Sequence, residues 1–138
     1  MNRTNARDEV MALLDDALDG ETVSILWDAS EDPIPDAAAT WVRIAMRHHA
    51  SAQASLGPDL ASQRRYRTRG TLFAQIFTPL GDGQTESDRL SEIVVNAMRA
   101  ARTPSGVLLR NAIAKEVGID GSWFQVNAQA EFEYDEFV

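Results

Sequence analysis

The chain of 138 residues has no cysteine, only two histidines and no long apolar run. Without cysteine it cannot form a disulfide or use a thiolate, which fits a reducing compartment. No apolar run approaches the roughly 20 residues that span a bilayer, and the polar start MNRTNARDEV has no signal-peptide apolar segment. We therefore expect no membrane association and a protein that is made or assembled in a cytoplasm.

Positive charge is also scarce. Thirteen Lys and Arg stand against 21 Asp and Glu, which gives a net charge of −8 and a pI near 4.6. Proteins that track phosphates carry the opposite sign, because cationic side chains drive that binding. Specific nucleic-acid binding is therefore not expected, although an acidic protein can lie beside DNA without holding it.

Length and composition predict one domain over residues 1–138. Hydrophobic residues make up 44% and charged residues 25%, as in ordinary globular proteins. No internal repeat, low-complexity tract or linker interrupts the chain.

Two helices are predicted. In the first, Thr4 or Asn5 is the expected N-cap and Gly20 the end, around apolar residues at helical spacing: Val10, Leu13, Leu14, Ala17 and Leu18. In the second, Thr85 and Asp88 resemble a capping pair before one apolar stripe: Leu90, Ile93, Val94, Ala97, Met98 and Ala101.

Five strands are expected from alternating patterns. They cover residues 22–28, 40 to about 54, a segment starting at Arg64, residues 107–118, and residues 122–137. Asp120-Gly121 is a strong hairpin signal between the last two. The predicted fold is α+β, a largely antiparallel sheet of about five strands with two α-helices packed on one face. The connection through the second helix is long enough for a crossover, so one parallel pair is possible there.

The third strand has two unlike faces. Tyr66, Thr68, Gly70, Leu72, Ala74 and Ile76 suit a core, and the other face carries Arg65, Arg67 and Arg69 at one end and Phe73 and Phe77 at the other. The arginine end is expected to face solvent, and the two phenylalanines indicate that the far end is covered.

No motif for catalysis or cofactor binding is present. The loop GDGQTESD between strand and helix has no lysine and lacks P-loop spacing, and Asp82, Glu86 and Asp88 stand where a phosphate would bind. The adjacent His48 and His49 point to opposite faces of a strand and so cannot share one metal ion. We expect no enzyme activity, no metal and no cofactor.

The three arginines of the third strand have possible partners in the last strand. Glu131, Glu133 and Asp135 have the matching charge and the same two-residue period. Within one subunit, exposed pairs of this kind contribute roughly 0–1 kcal/mol each. Across a subunit boundary they would set register and partner choice. Both arrangements are open at this point.

Three segments carry a family resemblance: QASLG at residues 53–57, RGTLFAQIFTPLGDG at 69–83 and GIDGSWFQVNAQAEFEYDE at 118–136. With the order of elements upstream, they resemble the tail terminator, or minor tail, proteins of long-tailed bacteriophages, of the lambda tail-terminator type. The resemblance covers most of the chain, and its motifs are structural rather than catalytic.

The resemblance implies a structural virion protein, assembled in the bacterial cytoplasm and located at the head–tail junction. Such proteins form a hexameric ring on the tail tube, end its growth and present a surface to the head connector, while DNA passes through the bore. Its partners would be itself, the tail-tube protein and the connector. Two loops are candidates for axial contacts, one with Pro33 and Pro35 and the other with Gln53, Leu56, Gly57 and Pro58. Alternatives are another head–tail joining or stopper protein, or a small ligand-binding domain that uses the turn at residues 81–83.

Overall fold

The structure is a computed structural model that describes residues 2–28, 33–35, 39–53, 65–82, 84–99 and 101–137. Helix α1 (Arg3–Ala17) is followed by strands β1 (Ser24–Trp27), β2 (Trp41–Gln53) and β3 (Arg65–Pro79). A 3₁₀ turn (Leu80–Asp82) leads into helix α2 (Thr85–Met98). Strands β4 (Leu108–Asp120) and β5 (Trp123–Phe137) complete the fold.

The strands form one sheet in the order β1-β2-β3-β5-β4. Three of its four strand pairs are antiparallel, and β1 pairs with β2 in parallel. The predicted α+β class with a largely antiparallel sheet is therefore confirmed.

The parallel pair lies elsewhere than the sequence suggested. Helix α2 connects β3 to β4, but β5 lies between those two strands. Strand β5 pairs with β3 from Arg65↔Phe137 to Pro79↔Trp123. It therefore occupies this edge of β3 along its whole length, and β4 cannot pair with β3. Both strands alternate core and surface residues with the same period, and their in-register pairing buries both core faces together.

Helix α1 begins earlier than predicted. Its N-cap is Asn2, whose side chain accepts a hydrogen bond from the backbone N–H of Asn5 at 2.8 Å. Thr4 and Asn5 lie inside the first turn, so the prediction that one of them caps the helix was wrong. An Asn side chain at this position satisfies one of the N–H groups that the first turn leaves without a helical partner. The helix ends at Ala17, and Gly20 adopts φ +86° in the turn that follows.

Helix α2 does not use the predicted capping pair. Its N-cap is Gln84, which makes no side-chain capping bond, and Thr85 is already the first helical residue. The hydroxyl groups of Ser87 and Ser91 instead donate to the backbone carbonyls of Gln84 and Asp88, each at 3.0 Å. Both serines are buried, and these bonds satisfy them inside the first turns.

Both helices pack on one face of the sheet, as predicted. Leu14 of α1 and Leu90 and Met98 of α2 are fully buried in one cluster with strand residues of that face. Those strand residues include Val42, Ile44, Leu72, Ala74, Ile76, Ala128, Ala130 and Phe132. Each large aliphatic side chain buried there stabilises the fold by about 1.5–3 kcal/mol relative to exposure.

Strands β4 and β5 form the predicted hairpin. Asp120 pairs with Trp123, and Gly121 adopts φ +60° in the two-residue turn between them. Strand β4 is irregular near its start, where Asn111 has φ +56° and the register shifts between Arg110 and Ile113. A bulge of this kind bends the strand and re-aims the side chains beside it.

Candidate functional site

The face of the sheet opposite the helices carries most of the residues proposed from the sequence. We call it the helix-free face. Among the described residues it holds seven cationic side chains: Arg43, Arg47, Arg65, Arg67, Arg69, Arg110 and Lys115. Its carboxylates are Glu131, Glu133, Asp135 and Asp120, with Asp28 beside Arg47. Cations therefore outnumber anions here, although the chain as a whole is strongly acidic.

Arginines of β3 and carboxylates of β5 pair within this one chain. Arg67 Nε donates to Asp135 Oδ1 at 3.1 Å, and Arg69 Nε lies 3.3 Å from a carboxylate oxygen of Glu133. Arg65 Nε is 3.9 Å from the other oxygen of Asp135. Of the two arrangements left open by the sequence, the intrachain one is present in the structure.

The register differs from the simplest pairing of the two rows. Arg67 lies opposite Asp135, Arg69 opposite Glu133, and Arg65 opposite Phe137. Glu131 consequently lies opposite Thr71, and its carboxylate accepts a hydrogen bond from the side-chain amide of Asn111. Glu131 is thus outside the arginine row, because the register of β3 and β5 is fixed along their whole length by the core side.

Strand β4 adds an arginine that the sequence reading missed. Arg110 donates to Glu133 at 2.8 Å, so Glu133 is shared between Arg110 and Arg69. Asp135 is likewise shared, between Arg65 and Arg67. Each carboxylate therefore faces two guanidinium groups. The side-chain hydrogen bond to Asp135, with the charge of that carboxylate, raises the pKa of Arg67 further above its usual range.

Phe77 is covered by residues of the same chain. Its ring stacks on Trp41 with centroids 4.1 Å apart, and Trp123 packs edge-on against Trp41 at 5.6 Å. The guanidinium of Arg43 lies 5.1 Å from the Trp41 ring centroid. Phe77 is only 4% exposed, so it contributes to the stability of this end of the face rather than offering a free contact.

Two tryptophans of this cluster were not among the proposed residues. Trp123 Nε1 donates to the backbone carbonyl of Ala39 at 3.1 Å, which connects the segment before β2 to the start of β5. The sequence shows both tryptophans at strand ends, but only the strand register reveals that they meet Phe77.

Phe73 remains partly exposed near the middle of the helix-free face. It borders a shallow hollow of about 300 Å³ with Arg43, Arg47, Gln75 and Asn127 among its lining residues. Its other lining residues are Ala45 and Asp28, so two apolar side chains lie among two cations, one carboxylate and two side-chain amides. Arginine and aromatic side chains of this kind are enriched where proteins contact each other.

The two histidines point to opposite faces, as predicted. His48 Nε2 lies 2.8 Å from the Tyr134 hydroxyl on the helix side, and His49 Nε2 lies 2.8 Å from the Thr71 hydroxyl on the other side. Burial lowers the pKa of His48, with a further contribution from the positive charges of Arg3 and Arg7. Burial also raises the pKa of Tyr134.

The candidate loops are described only in part. Pro33 and Pro35 lie in a short described segment, and Ile34 between them is 59% exposed. Gln53 is the last residue of β2. Leu56, Gly57 and Pro58 lie outside the described residues.

The start of α2 is acidic at the position where a phosphate would be expected. Glu86 and Asp88 lie in its first turn, and Glu86 is paired with Arg89. Negative side chains at a helix N-terminus already interact favourably with its dipole and disfavour a second anion.

Strand β4 presents exposed apolar side chains that the sequence reading did not single out. Ile113, Val117 and Ile119 are 49%, 56% and 73% exposed. The strand lies at the end of the sheet order, so among the described residues β5 is its one neighbouring strand. At its start, Leu108 also forms an isolated bridge with Arg102. Alternation alone predicts a strand here but does not reveal that the strand lies at an edge.

The described residues contain no group of three or more His, Cys, Asp or Glu placed to hold a metal ion. No helix in that part of the chain is long and apolar enough to cross a bilayer.

Comparison with known proteins defines the fold only. No family model matches the chain, and no curated protein matches it. One solved structure, whose name gives no indication of function, superposes on this chain with a TM-score of 0.74. The two sequences are 16% identical, and the superposition covers 100% of this chain and 98% of the other. An α+β domain of this architecture therefore exists in another protein of nearly the same extent.

Proposed function

We propose that the protein is a structural component of a phage tail or phage-like particle. It would cap the tail tube as a ring of identical subunits, end tube elongation and join the tail to the head connector. DNA would pass through the bore without specific binding, and the protein would carry out no catalysis.

The observation that carries this proposal concerns the segments with the family resemblance. The stretches at residues 69–83 and 118–136 include most of β3 and β5, which are adjacent strands in the middle of the sheet. They are far apart in sequence, and together they build the centre of the helix-free face. These two of the three resembling segments thus form one continuous surface and the core beneath it.

The composition of that surface supports contact with protein. It offers shared arginine–carboxylate pairs at one end, the hollow beside Phe73 in the middle, and the exposed side chain of Ile113 on β4 at one side. Arginine and aromatic residues are enriched where proteins bind each other.

Binding to assembled tail tubes tests the proposal. The chain is mixed with tubes of the tail-tube protein from the same source, and with the portal and connector proteins separately. We expect it at tube ends in electron micrographs, with tubes of limited length when it is added during assembly. Binding to portal and not to tubes would instead favour a head–tail stopper or adaptor.

A small ligand-binding domain is the other alternative. It would use the turn before α2, and stabilisation of the protein by phosphate-bearing nucleotides in a thermal-shift assay would support it. The acidic first turn of α2 predicts no such stabilisation.

A further inference from the structure

Charge is distributed unequally between the two sides of the molecule. On the helix-free face the described cations outnumber the carboxylates. Glu133 and Asp135 each form ion pairs with two arginines. Lys115 adds a further positive charge on β4, where it lies opposite Asn127. By its described residues this face carries a net positive charge, whereas the overall charge of the chain is −8.

The helix side has the opposite character. We call α1, the turn after it and α2 the helix layer. Its described residues, 2–21 and 84–99, contain nine Asp and Glu but four Arg. In this layer one arginine pairs with two carboxylates, since Arg89 contacts both Glu21 and Glu86.

Three carboxylates of α1 are exposed to solvent: Asp8, Asp15 and Asp16. Asp15 and Asp16 follow Asp8 by seven and eight residues, about two helical turns, so all three lie along one side of the helix. That side is opposite the one that buries Ala6, Val10 and Leu14.

We propose that the helix-free face of one copy of this chain packs against the helix layer of the next copy. The inference deepens the ring proposal and rests on it, since it assigns the two surfaces through which identical subunits meet. Charge complementarity selects the occupant. The basic face needs an acidic partner, and every copy carries an acidic helix layer.

The two surfaces lie on opposite sides of the sheet, so the contact is head-to-tail. A contact of this type leaves one free basic face and one free acidic layer on every open chain of subunits. Such a series closes into a ring where the rotation between neighbouring subunits allows it and otherwise continues as a filament; closure is what the ring proposal adds. The arginine–carboxylate pairs within each chain would hold the guanidinium groups in place for this contact, with little ordering needed on association.

Two double variants reverse the charge of one surface each. Arg69→Glu/Lys115→Glu alters the helix-free face at exposed side chains, and Glu133 retains Arg110 as its partner. Asp15→Lys/Asp16→Lys alters the helix layer in the last turn of α1, where cationic residues interact favourably with the helix dipole. Both variants are therefore expected to fold, which circular dichroism checks.

Native mass spectrometry then compares wild type, each variant alone, and the two variants mixed. We expect wild type to assemble, each variant alone to assemble at least tenfold more weakly, and the mixture to regain assembly. In the mixture, the reversed face of one variant meets the reversed layer of the other, so closed particles contain both in equal number. The same samples are scored on tail-tube ends if wild type assembles only there.

The outcomes separate this inference from the ring proposal. Rings formed equally well by wild type and by each variant alone would overturn the inference and leave the ring proposal standing. A wild type that remains monomeric both alone and on tubes would overturn both. Retention of wild type on duplex DNA, lost in Arg69→Glu/Lys115→Glu, would assign the basic face to phosphates and also overturn the inference.

Discussion

The aromatic ring of Phe132 lies over Gly70 on the neighbouring strand, in the space that a Cβ atom at Gly70 would occupy. The backbone carbonyl of Arg47 closes the same space from the other side. Gly70 therefore permits the close approach of β2, β3 and the Phe132 ring. We expect Gly70→Ala to lower the free energy of unfolding by about 1–3 kcal/mol, because backbone and ring must both move.

Urea unfolding monitored by circular dichroism measures this change. Gly81→Ala is the matched control, since a Cβ there meets nothing within 4 Å and the residue is exposed. That control should lie within about 0.5 kcal/mol of wild type. Equal stability of the two variants would show that Phe132 adapts without cost.

The Arg67–Asp135 pair should contribute little to the stability of the monomer. Its side chains are 37% and 29% exposed, so water and salt screen the interaction. A double-mutant cycle of Arg67→Ala and Asp135→Ala should give a coupling energy of about 0.2–1 kcal/mol that decreases at high salt. A coupling well above this range would indicate that the pair is more strongly desolvated than the structure shows.

Reversal of both Arg67 and Arg69 to Glu should leave a folded monomer and impair assembly. The new carboxylates face Asp135 and Glu133, and opposed like charges destabilise a strand pair by roughly 0.2–1 kcal/mol each. Thermal melting checks the fold, and particle size with tail length checks assembly. Normal rings and normal tail length from this variant would argue against a role of the arginine row in subunit contact.

His48 should make the stability of the fold depend on pH. Its pKa is lowered in the folded protein from 6.5, first by burial and then by the nearby arginines, so the unfolded chain binds the proton more readily. Stability is then full above pH 6.5 and falls as the pH decreases toward the lower folded pKa. We expect His48→Gln to reduce this slope in urea titrations at several pH values.

His49→Gln is the control for that experiment, because His49 is exposed on the opposite face. The reduction in slope on His48→Gln should exceed any change on His49→Gln. If His48→Gln retained the wild-type slope, the pH dependence would have to arise from other groups.

The N-cap of α1 offers a test of helix boundaries. Asn2→Ala removes the bond to the Asn5 N–H and should cost about 0.5–2 kcal/mol. Thr4→Ala, at an exposed position within the first turn, should change the stability by less than half as much. The reverse order of the two effects in thermal unfolding would restore the cap that the sequence suggested.

Local patterns predicted the elements of this fold well because each has a distinct period. The alternation of β3 and β5 identified their core faces, and the Asp120-Gly121 signal located the hairpin. Helix starts were less predictable, since several polar residues near Asn2 and Gln84 can cap and tertiary packing selects among them.

For the candidate surface, the sequence predicted which rows of residues share a face, but not the strand register that decides which residues form pairs. Matching periods showed that an arginine row could face a carboxylate row, but not that Arg69 would meet Glu133 and leave Glu131 to Asn111. Arg110 and the Trp41–Phe77 stack depend on which strands are neighbours, which is a property of the whole sheet.

Native mass spectrometry of the purified chain, alone and with its tail-tube protein, shows whether the protein forms a ring of identical subunits. We expect a closed homo-oligomer, either in isolation or bound to the tube, with the six subunits that the resemblance implies. A chain that stays monomeric under both conditions, with no binding to the tube protein, would contradict this expectation.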